Sequence, residues 1–266
     1  MRNRAEVAAA NQTPAPSLDR RLLGLETAVV VGLAVGLAAL RSLLNFAASA
    51  VAPMPLRAQS AVLNRSLAPG HPWIDLGLQL VDVVGLLLPV ALVLVLAARG
   101  REPLTRFGLH ATRWRRDLAL GLGAAALIGG SGLTLYLLGH ALDASLTLVP
   151  TALPPVWWRI PVLVLSAVAN AALEEVVLVG YLLRRLGQLG WATASAIALS
   201  AGIRGCYHVY QGVPGLLGNL VMGLLFAGYY RRTGRVGPLL VAHATIDTVA
   251  FLGYIALAGR VSWLPS

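Results

Sequence analysis

Two adjacent carboxylates, Glu174 and Glu175, interrupt a largely apolar stretch from Val156 to Leu183. A single charge at mid-membrane costs roughly 2.5–3.5 kcal/mol even on lenient insertion scales, so such a pair must face the protein interior and find partners. Other polar side chains in the apolar C-terminal half are Asn170, Arg204, His208, Asn219, His243 and Asp247. His243 and Asp247 are four residues apart, as are Arg204 and His208, so each pair shares one face of a helix. Carboxylates with two imidazoles in apolar surroundings suit water activation. Burial raises a carboxylate towards the neutral range, where it can take a proton from water and return it to a leaving amine. An imidazole can polarise the scissile carbonyl, and Asp247 could fix the tautomer of a neighbouring histidine. The same groups, Glu174, His208 and His243, could instead hold a divalent metal such as zinc, with water completing the sphere.

These groups need apolar rods to hold them, and the composition supplies them. Of 266 residues 57% are hydrophobic and 12% charged, about half the charge of a soluble domain. The expected fold is therefore all-α, a polytopic transmembrane helical bundle. Apolar spans fall at about 22–52, 74–98, 118–142, 156–183, 191–210, 216–230 and 238–258, each at or near the roughly 20 residues needed to cross a bilayer. That gives seven membrane helices, or eight if the overlong first span breaks at Arg41 and Asn45. The organisation reads as an N-terminal tail (1–21) and one transmembrane domain (22–266), with the polar core at about 156–258. Ala50-Val51-Ala52 resembles a signal-peptidase site, but the apolar run before it is too long for a signal core, so a retained helix is expected. Gly32 and Gly36 form a GxxxG pair expected to pack helices closely. Trp157, Trp158, Trp191 and Trp263 suit interfacial belts.

The net charge of +10 comes from arginine alone, for the chain has no lysine. With the N-terminus inside, 15 of the 21 arginines fall in cytoplasmic segments and four outside, a positive-inside bias. The expectation is a multi-pass cell-membrane protein with a cytoplasmic N-terminus, and the arginine-for-lysine usage points to a GC-rich bacterial source. Basic residues dispersed among short loops argue against a nucleic-acid partner. The partners expected are the lipid bilayer and a peptide or membrane-protein substrate. Cys206, the lone cysteine, excludes an internal disulfide and a multi-cysteine metal site.

The order Glu-Glu, then His on the next helix, then His-x-x-x-Asp two helices later resembles the CPBP (Abi/CAAX) intramembrane proteases. That family includes the type II CAAX prenyl endopeptidases and bacteriocin self-immunity proteins. Its motifs read Glu-Glu-x-x-x-Arg, Phe-x-x-x-His and His-x-x-x-Asn/Asp. Glu174-Glu175 match the first, His208 the second, and His243 with Asp247 the third. The resemblance implies Glu174 as the base activating water, assisted by His208, with His243 and Asp247 building the oxyanion side. Arg204 and Asn219 are read as supporting residues. Two departures stand out: the family's Arg is Val179 here, and its Phe is Arg204. A swap of positions accounts for both if Arg204 pairs with Glu175.

Alternative readings are a catalytically inactive member, or a transporter or immunity protein using the same cluster. A transporter predicts matching interrupted helices in two halves, yet these polar residues sit in the C-terminal half. The HExxH of zinc proteases is absent. Gly129-Gly130-Ser131-Gly132 reads as a rhomboid Gly-x-Ser-Gly, but that reading leaves both glutamates unexplained. One tension concerns depth. At about 1.5 Å per residue, Glu174 lies on the order of 15 Å from Arg184 and His243 about 10 Å in, whereas His208, counted from Trp191, comes out near 25 Å. Either the fifth span starts later, or 186–191 dips into the membrane.

Overall fold

Proline sets the start of three helices, at Pro72, Pro214 and Pro238. In a first turn its missing N–H would have been unpaired anyway and its fixed φ is already helical. A computed structural model of the protein describes residues 20–261 and Leu264. The expected tail therefore falls almost wholly outside the described residues, as does Trp263. The helices are α1 (Arg20–Ala50), α2 (Pro72–Arg99), α3 (Trp114–Ala141), α4 (Arg159–Gln188), α5 (Thr193–His208), α6 (Val213–Thr233) and α7 (Gly237–Leu257). All but α5 are long and apolar enough to cross a membrane. At 16 residues α5 reaches about 24 Å, short of a full crossing. The protein is an all-α polytopic bundle.

Three expectations need correction. Helix α1 is continuous through Arg41 and Asn45, so it hides no eighth piece. Its irregularity lies earlier, in a π-helical turn at Gly32–Gly36. That glycine pair does not pack closely, since the space beside Gly32 is open for 4 Å. Close packing uses other glycines. A Cβ on Gly223 of α6 would sit 2.8 Å from Cα of Ala201 in α5, and one on Gly121 of α3 would sit 2.5 Å from Val241 in α7. Trp158, expected in an interfacial belt, is instead 1% exposed and packs with Leu163 and Phe251. Two short strands were not foreseen: β1 (Ser60–Asn64) and β2 (Thr147–Thr151) pair in parallel, Ser60 opposite Thr147.

Helix α4 is the axis of the molecule. Some 67% of its apolar window is buried, against 33% or less for the other candidate spans. Its apolar residues Val177, Leu178 and Leu183 are fully enclosed. The carboxylates therefore sit on the most enclosed of these spans, in a stretch, Glu174–Tyr181, whose residues are all buried.

Local contacts also settle the depth question, because the helix ends are not level. The segment 104–109 tucks under α4, and a Cβ on Gly180 would lie 2.5 Å from the Phe107 carbonyl oxygen. Val236, just before α7, donates its N–H to Gly108. The start of α7 is thus level with Gly180, two turns above the end of α4. On the other side, Ser200 of α5 donates its hydroxyl to the Leu178 carbonyl at 2.7 Å. The hairpin from the end of α4 into α5 therefore projects beyond the start of α7. Counting from unlevel ends produced the apparent excess at His208. Neither a late start nor a dip into the membrane is needed.

Candidate active site

The acidic pair opens an eight-residue π-helical segment, Glu174–Tyr181, inside α4. π turns are rare and gather at functional sites, because the widened turn redirects side chains and disturbs the usual backbone pairing. Neighbouring helices support the carbonyls of this segment. Ser200 donates to Leu178, and the Tyr230 hydroxyl donates to Gly180 at 3.2 Å. This anchors the segment that aims both carboxylates inward, where each is fully buried.

Three helices converge there. From α5, Arg204 is 1% exposed and its Nη2 ion-pairs with Glu175 Oε1, while reaching 3.2 Å to Glu174 Oε2. The pairing expected from the two motif departures is thus present. Arg204 also lies over the Phe226 ring of α6, 5.4 Å from its centroid. From α7, His243 Nδ1 stands 2.8 Å from Glu175 Oε1, and its Nε2 faces Glu174 Oε1 at 3.8 Å and Asp247 Oδ2 at 3.6 Å. Glu175, an acceptor, therefore fixes the proton on Nδ1 of His243, a role the sequence offered to Asp247. Asn170, one turn before Glu174, donates to Glu174 Oε1 at 3.2 Å and to Asp247 Oδ2 at 3.1 Å, tying α4 to α7.

The remaining expected residues take other places. His208, the last residue of α5, points its Nδ1 at the Arg204 carbonyl oxygen, 3.0 Å away. That acceptor places the proton on Nδ1 and leaves Nε2 as an acceptor. Asn219 of α6 spends its amide on the Gly215 carbonyl one turn back, at 3.0 Å. Ser131, of the rhomboid-like motif, is exposed and donates to the Ile128 carbonyl of its own helix. Asn170, one of the polar side chains noted in the apolar C-terminal half, thus serves as an interhelical hydrogen-bond partner. One residue at the site escaped sequence reading: Tyr207 was not singled out. Tyr207 packs against His208, the rings tilted by 37° with centroids 4.2 Å apart, and it lies three residues from Arg204 and so on the same side of α5.

Among the described residues the donors close enough to share a metal ion are Glu174, Glu175 and His243, their ligand atoms within 4.8 Å of one another. This corrects the expected set, since Glu175 stands where His208 was placed. His208 is turned back towards its own helix instead. Two carboxylates and an imidazole fit zinc or a similar divalent ion by donor type and number. When bound, such an ion would lower the pKa of its water.

A bundle with a buried carboxylate, imidazole and guanidinium centre on its innermost helices is a polytopic membrane protein built around a polar site. Residues 155–249 match the family model described as "Type II CAAX prenyl endopeptidase Rce1-like". This bears out the resemblance read from the three motifs, all of which fall within the match, and the family is a protease family. Searches of curated proteins and of solved structures gave no match.

Proposed function

We propose that the protein is an intramembrane endopeptidase that hydrolyses a peptide bond with water activated by Glu174. The observation that supports this most is the meeting of Glu174, Glu175, Arg204, His243 and Asp247 from three helices in one buried cluster. Glu174 takes a proton from the attacking water and returns it to the leaving amine. Its buried Oε2 faces the Arg204 guanidinium at 3.2 Å but accepts no well-aligned hydrogen bond among the described residues, and so keeps a lone pair for the water. His208, an acceptor at Nε2, orients the water. Glu175 is held by Arg204 and in turn holds the His243 ring, while His243 and Asp247 line the far side. The scissile bond would lie nearer the arginine-rich end, which the positive-inside rule assigns to the cytoplasm.

The test is peptide cleavage by the purified protein, by Glu174→Gln and by His208→Ala, each with and without a chelator. Loss of the base should cost roughly 10²–10⁴-fold in kcat, the range for general acid–base catalysis. Cleavage that survives both substitutions would exclude this mechanism. Cleavage lost to the chelator and restored by zinc would assign the metal to Glu174, Glu175 and His243. If the cluster is a structural ion pair instead, Glu174→Gln will lower thermal stability while no peptide is cut by any form.

A further inference from the structure

Hydrolysis through an attacking water puts a negative charge on the former carbonyl oxygen, and something must donate to it. Counting protons at the site shows how few donors are free. Both Asn170 amide hydrogens are committed, to Glu174 and to Asp247. Asp247, when ionised, is an acceptor only, and its Oδ2 already receives from Asn170. His243 directs Nδ1 to Glu175, and a second proton on its Nε2 would be drawn to the carboxylates it faces at 3.6 and 3.8 Å. His208 directs its proton to the Arg204 carbonyl. Two buried donors make no well-aligned hydrogen bond among the described residues: the Tyr207 hydroxyl and Arg204 Nη1. The Tyr207 hydroxyl is drawn to Glu174, which loses its charge on taking the water's proton and so releases that hydroxyl as the oxyanion forms; the Tyr207 ring is held against His208. Buried polar groups in native proteins are rarely left unmatched, and those that are call for an explanation.

We infer that the Tyr207 hydroxyl donates the hydrogen bond that stabilises the tetrahedral oxyanion, a role the family resemblance gives to the side of His243 and Asp247. The inference rests on the endopeptidase reading. Water oxygen bonds to the carbonyl carbon, its proton passes to Glu174, and the carbonyl π electrons move onto oxygen, where Tyr207 O–H meets them. Collapse of that intermediate re-forms the C=O bond, breaks C–N and delivers the Glu174 proton to the amine. Tyr207 keeps its own proton throughout.

Tyr207→Phe removes one oxygen and keeps the ring against His208. On a peptide the unaltered protein cleaves, kcat should fall about 10²–10³-fold with KM nearly unchanged, the effect of deleting one oxyanion donor. A second probe is that same peptide carrying an aldehyde, hydrated to a gem-diol, at the scissile position. Tyr207→Phe should bind it more weakly by a similar factor, yet bind a reduced CH2–NH analogue, which has no carbonyl, as tightly as before. Full kcat in Tyr207→Phe, or a fall in thermal stability that tracks the lost activity, would overturn this inference and leave the endopeptidase reading standing. A protein that cleaves no peptide in any form overturns both.

Discussion

Arg204 carries the largest electrostatic responsibility of any single residue at the site. Among the described residues it is the one cation whose guanidinium touches both buried glutamates, and it stands where the motif of the proteases that the chain resembles carries Phe. Removing one partner of a buried ion pair typically costs 3–5 kcal/mol, because the other charge is left uncompensated. Arg204→Phe should therefore destabilise the protein by roughly that amount and abolish peptide cleavage. Adding Val179→Arg returns a cation to the buried position four residues beyond Glu175. The double variant should recover part of both losses, read as thermal stability in detergent and as cleavage rate. Equal loss in single and double variants would refute the exchange of positions. Glu174, Glu175, His243 and Asp247 were legible because charge in an apolar run is conspicuous, and because i, i+4 spacing survives folding. Tyr207 was not, since a tyrosine in an apolar helix is ordinary until its hydroxyl is seen beside the buried Glu174. Asn219 was misread for the converse reason: its distance from Gly215 in sequence did not reveal that its amide turns back along its own helix.

Among the elements, α4 shows what hydropathy conveys and what it conceals. An apolar run announces a helix, and the spans read from the sequence recur within a few residues of α1 to α7. Hydropathy does not disclose the helical pitch, so the π segment at Glu174–Tyr181 and the turn at Gly32–Gly36 were invisible. Nor does it disclose the relative levels of helix ends, which depend on contacts such as Gly180 with Phe107. Those two gaps meet at Gly180, inside the π segment and against the backbone of the segment beneath it. An added methyl would sit 2.5 Å from the Phe107 carbonyl oxygen, which is backbone and cannot rotate away. Gly180→Ala should thus push α4 and segment 104–109 apart and cost about 1–3 kcal/mol, the range for overpacking a filled interior. Because the shift begins five residues from Glu175, cleavage should fall further than stability alone explains. Gly190→Ala provides a contrast, for that glycine's side-chain space is nearly open but its φ is +84°. A stability loss there without loss of cleavage would separate backbone strain at the hairpin from displacement of the site. Unchanged stability in Gly180→Ala would show that segment 104–109 yields freely.

At the scale of the whole molecule, charge is sorted to one end, and a single carboxylate organises much of it. Glu102, between α2 and α3, accepts hydrogen bonds from Arg184 and Arg185 of α4. Arg185 is 2% exposed, stands 3.3 Å from Glu26 of α1, and lies over the Tyr181 and Phe107 rings. Tyr181 in turn donates to Glu26 at 2.8 Å. This network joins two membrane helices, α1 and α4, to the connecting loop just beyond the π segment. The distribution of arginines was readable from the sequence, but which acid they would share was not, because Glu102 and Arg184 are 82 residues apart. Burial alone would raise the Glu102 carboxyl, yet the hydrogen bonds and charges of Arg184 and Arg185 outweigh it and hold the group below the usual carboxylate range. A carboxyl whose folded value is depressed binds its proton more weakly in the native state than in the unfolded one. Its stabilising contribution is therefore complete above the unfolded value, near 4.3 for glutamate, and is lost as pH falls through the lower folded value. Thermal unfolding of the protein and of Glu102→Gln, followed in detergent from pH 7 to pH 3, should show the variant melting lower at neutral pH. The gap should begin to close only below about pH 4.3 and shrink steadily with further acidification. A gap that stays constant across that range would mean the loop is held by packing of Phe107 and not by the charge on Glu102.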